Sequence, residues 1–205
     1  MRIIRHACAD QRGFTLAEFL VAIALVGLTM TGLLAIIMTG NQTYSTGSNQ
    51  IEAQQAARVA LERMVQEIRG AGYNPKGAVC EPPLTNCPIV GDPVPGTLTA
   101  TTLVVQNDTN ANGTFAATER ILYTLNGNNL QRRDYAVDAT PQTIVGGIEA
   151  LTFTYLDEND AVTALAENIR SVQISLTTRP ENQPATWQAG RVSVTMSDKI
   201  RLRNR

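Results

Sequence analysis

Arg12-Gly13-Phe14-Thr15-Leu16-Ala17-Glu18-Phe19-Leu20 opens an apolar run that continues to Met38. From Phe14 to Met38, about 25 residues carry one charge, Glu18. A helix crosses a bilayer with roughly 20 apolar residues, so this run is long enough to span. A carboxylate inside such a segment costs about 2.5–3.5 kcal/mol near the bilayer centre and less towards an interface. Glu18 therefore calls for a counter-charge. If the chain is cut after Gly13, Phe14 becomes a new N-terminus. Its amine is then available to the Glu18 carboxylate of a neighbouring copy.

The flanks fix the orientation expected of this span. Residues 1–13 carry Arg2, Arg5 and Arg12 against Asp10, a net of +2 within a chain of net −1. The remainder is therefore about −3. Positive charge ahead of a span keeps that end in the cytoplasm and sends the rest across. A conventional secretory signal fits worse, because its apolar region runs about 7–15 residues and ends at a small-residue cleavage site. The chain has 205 residues, enough for a membrane segment and one domain. It shows no second hydrophobic span and no internal repeat, and its near-neutral charge does not argue for nucleic acid.

Residues 12–20 resemble the class III signal of type IV pilins and their relatives. The likeness lies in a short basic leader, Gly13 before the cut, Phe14 after it, and Glu18 as the fifth mature residue. It implies that a membrane-embedded prepilin peptidase cleaves between Gly13 and Phe14 and methylates the Phe14 amine. It also implies that Glu18 and Phe14 act in subunit assembly.

Cysteine usage fits export. Cys8 lies in the leader, which leaves Cys80 and Cys87 as a pair in the exported part. A disulfide persists in such a compartment. Closing so short a loop stabilises by only about 2.5 kcal/mol in the chain-entropy model. The alternative, a metal or redox pair, needs a nearby His or a Cys-x-x-Cys, and neither is present.

The sequence divides into a leader 1–13, a transmembrane and filament-core helix 14–40, an amphipathic half of the same helix 41–72, and a β-rich exported domain 73–205. Polar Asn41–Gln50, with Gly47, predicts a kink or loosened turn. Gly27 and Gly32 suit close helix–helix approach. From Ile51 the pattern is amphipathic. Ala53, Ala56, Ala57, Ala60, Leu61, Met64, Val65 and Ile68 recur at three- and four-residue steps and form one core-facing stripe. Gly70-Ala71-Gly72, with Pro75 beyond, ends the helix. From Phe14 to Gly70 the helix would run about 57 residues, roughly 85 Å.

Beyond an irregular Pro-rich loop at 73–96 the period changes to two. Strands are expected at Leu98–Val105, around Leu151, Phe153 and Tyr155, around Val172, Ile174 and Leu176, and around Val192, Val194 and Met196. A hairpin is expected from Arg120–Leu125 and Asn129–Tyr135 about Asn126-Gly127. Asp157–Asp160 turns the chain, and Ile200–Arg205 reads as a last strand or a tail. The fold class is α+β, a long N-terminal helix packed on a mostly antiparallel sheet, as in pilins.

One loop could carry a ligand. Asp108-Thr109-Asn110-Ala111-Asn112-Gly113, running on to Glu119, fits the twelve-residue calcium pattern. Asp108, Asn110 and Asn112 offer side-chain oxygens on alternate residues. Gly113 allows the sharp turn, the Thr114 carbonyl supplies another oxygen, and Glu119 closes the site. Strands flank the loop where an EF-hand has helices. Two carboxylates alone point to weak, extracellular-range affinity, about 10⁻⁴–10⁻³ M.

Catalysis finds no footing. The single histidine, His6, lies in the leader, so the mature chain lacks His-based triads and bases. There is no phosphate loop and no dinucleotide fingerprint, so no organic cofactor is expected. Asp157 and Asp160 read as a solvated turn, and the scattered aromatics, Trp187 among them, make no nucleic-acid platform. Arg201, Arg203 and Arg205 read as a solvated edge, with DNA or an acidic partner as the sharper alternative.

The resemblance extends further along the chain. Residues Gln55–Asn74, Ile169–Leu176 and Arg201–Asn204 are similar to the helix end and later strands of PilW-type minor pilins. That likeness implies a minor subunit of a type IV pilus, not an enzyme. Its partners would be other pilins through the N-terminal helix, the prepilin peptidase, the inner-membrane assembly platform and the membrane. It would sit in the inner membrane with its bulk in the periplasm, then in the pilus at the cell surface. Two other readings stand beside it: a type II secretion pseudopilin, and a membrane-anchored extracytoplasmic ligand-binding protein.

Overall fold

The computed structural model describes residues 13–77, 80, 87–91, 98–181 and 192–204. The leader charges, Cys8 and His6, most of the Pro-rich loop, Trp187 and Arg205 lie outside the described residues. The chain divides into two compact units, Met1–Ser45 and Thr46–Arg205.

Helix α1 covers Leu16–Gly70, 55 residues, and contributes to both units. In the first unit its apolar side chains all face outward, among them Phe19, Ile23, Leu28 and Ile36. By length and composition this part can cross a membrane. Its threonines satisfy themselves. Thr31 Oγ1 donates to the Gly27 carbonyl at 2.8 Å, and Thr39 Oγ1 and Thr43 Oγ1 donate to Ala35 and Thr39 at 2.9 Å each. Hydroxyls bonded back one turn leave little polar surface to solvate in lipid. Asn41–Gln50 is helical throughout, so the loosened turn expected there is absent. The helix also begins two residues later than Phe14, at Leu16.

In the second unit the amphipathic stripe is buried as its spacing predicts. Ala53, Ala57, Ala60, Met64 and Ile68 are fully buried, while Ala56, Leu61 and Val65 lie at the margin. Small residues in the first turns of this stripe let backbone approach backbone. Thr178 Oγ1, itself buried, donates to the Ala53 carbonyl at 2.7 Å.

The β part forms two antiparallel meanders where the sequence suggested one sheet. The first runs β1 (Ile89–Val90), β2 (Thr102–Gln106), β3 (Arg120–Asn126), β4 (Asn129–Asp134) and β5 (Gln142–Val145), in that order. The second runs β6 (Ile148–Leu156), β7 (Ser171–Thr178) and β8 (Val194–Arg201). The hairpin at Asn126-Gly127 is present, with Asn126 paired to Asn129 and Gly127 at φ +59°. Alternation holds in β6 and β7, where Leu151, Phe153, Val172, Ile174 and Leu176 are buried.

Several strand boundaries move. β2 starts at Thr102 because Thr99 Oγ1 accepts the Thr102 N–H at 3.0 Å and turns the preceding residues aside. Val192 falls outside β8, and the C-terminal stretch splits, with Ile200 and Arg201 in β8 and Leu202 beyond it. β1 is too short and β5 too polar to show a period. The sheets join at few points: Phe153 N–H donates to Ala100 O at 2.8 Å, and Tyr155 Oη donates to Thr102 O at 2.9 Å.

Candidate functional site

Gly13, Phe14 and Thr15 are non-helical and exposed, and Phe14 is 89% exposed. The bond expected to be cut therefore precedes the helix. Thr15 and Glu18 close on each other. Thr15 N–H and Thr15 Oγ1 donate to Glu18 Oε2 at 2.9 and 2.8 Å, and Glu18 N–H donates back to Thr15 Oγ1 at 3.3 Å. This is a reciprocal capping box, in which two orphan N–H groups of a helix start are satisfied together. The Thr-x-x-Glu signal stood in the sequence, masked by the apolar run that follows it. Glu18 thus has a partner on its own chain.

Cys80 and Cys87 form a disulfide, with their Cα atoms 4.4 Å apart. Cys87 is fully buried at the head of β1. Its carbonyl accepts from Gln106 Nε2 at 2.7 Å, and Gln106 N–H donates to Pro88 O at 3.1 Å. The staple is therefore tied into β2.

The loop 108–119 connects β2 to β3 and is held by hydrogen bonds to its own backbone. Asp108 is fully buried; its Oδ1 accepts Asn112 N–H at 3.0 Å and its Oδ2 accepts Gly113 N–H at 2.8 Å. Asn110 Oδ1 accepts Asn112 N–H, and Asn112 Oδ1 accepts the N–H and hydroxyl of Thr114. Glu119 Oε1 takes Thr109 N–H, Thr109 Oγ1 and Asn110 N–H at 2.9, 2.9 and 3.2 Å, and Oε2 takes Ala116 N–H at 2.9 Å. Burial raises the Glu119 pKa, but these hydrogen bonds to the ionised form outweigh it, and the net shift is downward. Gly113, expected to allow a sharp turn, has φ +93°, and Ala111 has a positive φ of +57°.

The donor set is oxygen-rich, as calcium prefers. Three donors already occupy one Glu119 oxygen, so an ion would have to draw that carboxylate off the backbone. Among the described residues no three His, Cys, Asp or Glu side chains converge as metal ligands. Asn107 Oδ1, beside the loop, is buried with no hydrogen-bond partner among the described residues.

One polar cluster escaped the sequence reading. Glu67 lies on the polar side of α1 in the linear pattern, yet it faces the first sheet. Tyr123 Oη donates to Glu67 Oε2 at 2.7 Å, and Arg132 Nε and Arg63 Nε reach Glu67 Oε1 at 3.0 and 3.1 Å. Arg132 also bridges Asp134 at 3.2 Å. Burial and the Glu67 charge together push the Tyr123 hydroxyl upward, so it stays a neutral donor. The cluster ties helix to sheet and carries no group poised for chemistry.

Comparison with known protein families follows the same division of the chain. Residues 8–39 match the prokaryotic N-terminal methylation motif. Residues 46–202 match the family described as prepilin peptidase-dependent protein B. The chain belongs to the prepilin peptidase-dependent protein B family. It is a type IV pilin-like protein, with the class III signal motif within residues 8–39 and a pilin-like α+β architecture. No curated protein matches it.

Proposed function

We propose that this chain is a minor subunit of a type IV pilus, of the PilW kind. The observation that carries the reading is the match to the methylation motif over 8–39, joined to an apolar helix whose side chains are all exposed. Such a helix is at home in lipid or among other apolar helices. The peptidase cuts after Gly13 and methylates Phe14. The span holds the precursor in the inner membrane with the second unit in the periplasm, as the basic leader favours. On assembly the helix passes from lipid into a bundle of pilin helices. There Glu18 exchanges its Thr15 partner for the Phe14 amine of a neighbour, so a buried charge meets its counter-charge. The role is structural: joining or priming the filament.

The test is isolation of the protein, after crosslinking in its native host, together with whatever filament it joins. Recovery with pilus subunits, and loss of surface pili on deletion, is expected. Recovery with secretion-system components, and loss of secretion with pili intact, would make it a type II pseudopilin.

Calcium at Asp108, Asn110, Asn112, Thr114 and Glu119 is a further part of this proposal, as a brace on the β2–β3 connection. A rise in melting temperature with millimolar calcium, absent in Glu119→Gln, is expected. Equal melting temperatures with calcium and with chelator would sink it.

A further inference from the structure

The end of α1 and the end of β8 enclose a groove of about 610 Å³ lined by Arg69, Lys199, Ile200, Arg201, Leu202 and Arg203. Four of its six lining residues are cations and none is acidic. Ile200 and Leu202 are buried, while Arg69, Arg201 and Arg203 are exposed. The two C-terminal arginines are therefore presented at every second residue. Lys199 is committed elsewhere, in an ion pair with Asp160. Among the described residues no carboxylate pairs with Arg69, Arg201 or Arg203.

β8 is also the edge strand of its sheet. Leu202 N–H donates to Arg170 O at 2.9 Å, so Leu202 faces the β7 side. Main-chain direction alternates along an antiparallel ladder. The N–H and C=O of Arg201 therefore point away from β7. Lys199 N–H is already taken by Asp198 Oδ1 at 2.8 Å, and among the described residues nothing bonds the outward-facing main chain of Arg201, where β8 ends.

The geometry points to a docking site for an extended, carboxylate-rich peptide segment of a partner protein, with acidic residues at alternate positions. An open edge strand receives an added strand through its main chain and selects it through alternate side chains. Arginine pairs with carboxylates through two parallel hydrogen bonds, which adds register to charge. A nucleic acid strand fits less well, because none of the lining residues is aromatic and stacking would contribute nothing. The inference is independent of which filament the protein joins.

The test is a fluorescence-anisotropy titration of the full mature chain in detergent micelles at low salt. The probes are a short labelled peptide of alternating Glu and Thr, a peptide of the same composition with all Glu ahead of all Thr, and a single-stranded oligonucleotide of similar length. The proposal expects the alternating peptide to bind tightest. It expects Arg69→Gln/Arg201→Gln/Arg203→Gln to weaken that binding by at least about tenfold, with an unchanged melting temperature. Arg58→Gln, elsewhere on the helix, should leave it unaffected. No binding, or equal binding by the triple variant, overturns the proposal and leaves the cations as guards against edge-to-edge aggregation. Equal or tighter binding of the block peptide or the oligonucleotide overturns it too.

Discussion

Thr15 and Glu18 show how a carboxylate is held at the head of an apolar helix. A lone carboxylate entering a membrane is costly, yet hydrogen bonds from Thr15 N–H and Oγ1 hold it at the helix start. Thr15→Val removes the hydroxyl from both directions of the box. Amide exchange at Ala17–Phe19 in micelles should then quicken several-fold, and an unchanged rate would show the box contributes nothing. Glu119 makes a different case, because all of its partners but the Thr109 hydroxyl are backbone groups that no side-chain substitution deletes. Its folded pKa is lowered, so its contribution is full above the ordinary value of 4.5 and is lost as pH falls through the lowered one. Glu119→Gln should cost about 1–3 kcal/mol near neutral pH. The gap between variant and wild type should close on acidification below that range, as read by chemical denaturation. Gly72 is constrained by shape. It sits at φ +78°, and an added Cβ would lie 2.4 Å from Asn204 O and 2.6 Å from Pro88 Cγ. Gly72→Ala should lower stability by at least about 2 kcal/mol, a drop of roughly 4–8 °C in melting temperature.

Elements join through a few hydrogen bonds that the linear pattern does not announce. Thr178→Val keeps the shape of the side chain but removes the second donor to the Ala53 carbonyl, which retains its own helical bond, at a cost of about 0.5–1.5 kcal/mol, whereas Thr178→Ser should cost less. Urea titration of both variants separates the lost hydrogen bond from altered packing. The stripe from Ala53 to Ile68 was legible because helical spacing alone sorts buried from exposed. The hairpin at Asn126-Gly127 was legible because the turn demands positive φ. The division into two sheets was not, since β6 alternates as it would in either sheet and Gly147, at φ +71°, redirects the chain without a run of loop residues. β5 was invisible, with three exposed residues among its four. Glu67 stayed hidden for a related reason. A glutamate among arginines on a helix looks solvated until a tyrosine and an arginine from β3 and β4 are brought to it.

For the molecule as a whole, the apolar half of α1 and the folded second unit impose opposite requirements on solvent. One exposes Phe19, Ile23, Leu28 and Ile36; the other buries its apolar residues around Met64, Tyr123 and Ile174. The methylation motif within residues 8–39 was legible because its chemistry is local in sequence; the groove at Arg69 was not, because β8 reaches it only through the fold. Intact mass from native membranes should equal the chain from Phe14 plus about 14 Da for one methyl group, less about 2 Da for the disulfide relative to a reduced sample. A mass that includes the leader would contradict processing. The helix end offers a last consequence. Asn204 Nδ2 donates to the Gly70 and Ala71 carbonyls at 3.1 and 3.4 Å, and β8 lies just before it in the chain. This latch is made 134 residues after the carbonyl it caps. Until β8 has left the ribosome β7 has an unpaired flank, and until residue 204 has followed it the end of the helix stays uncapped.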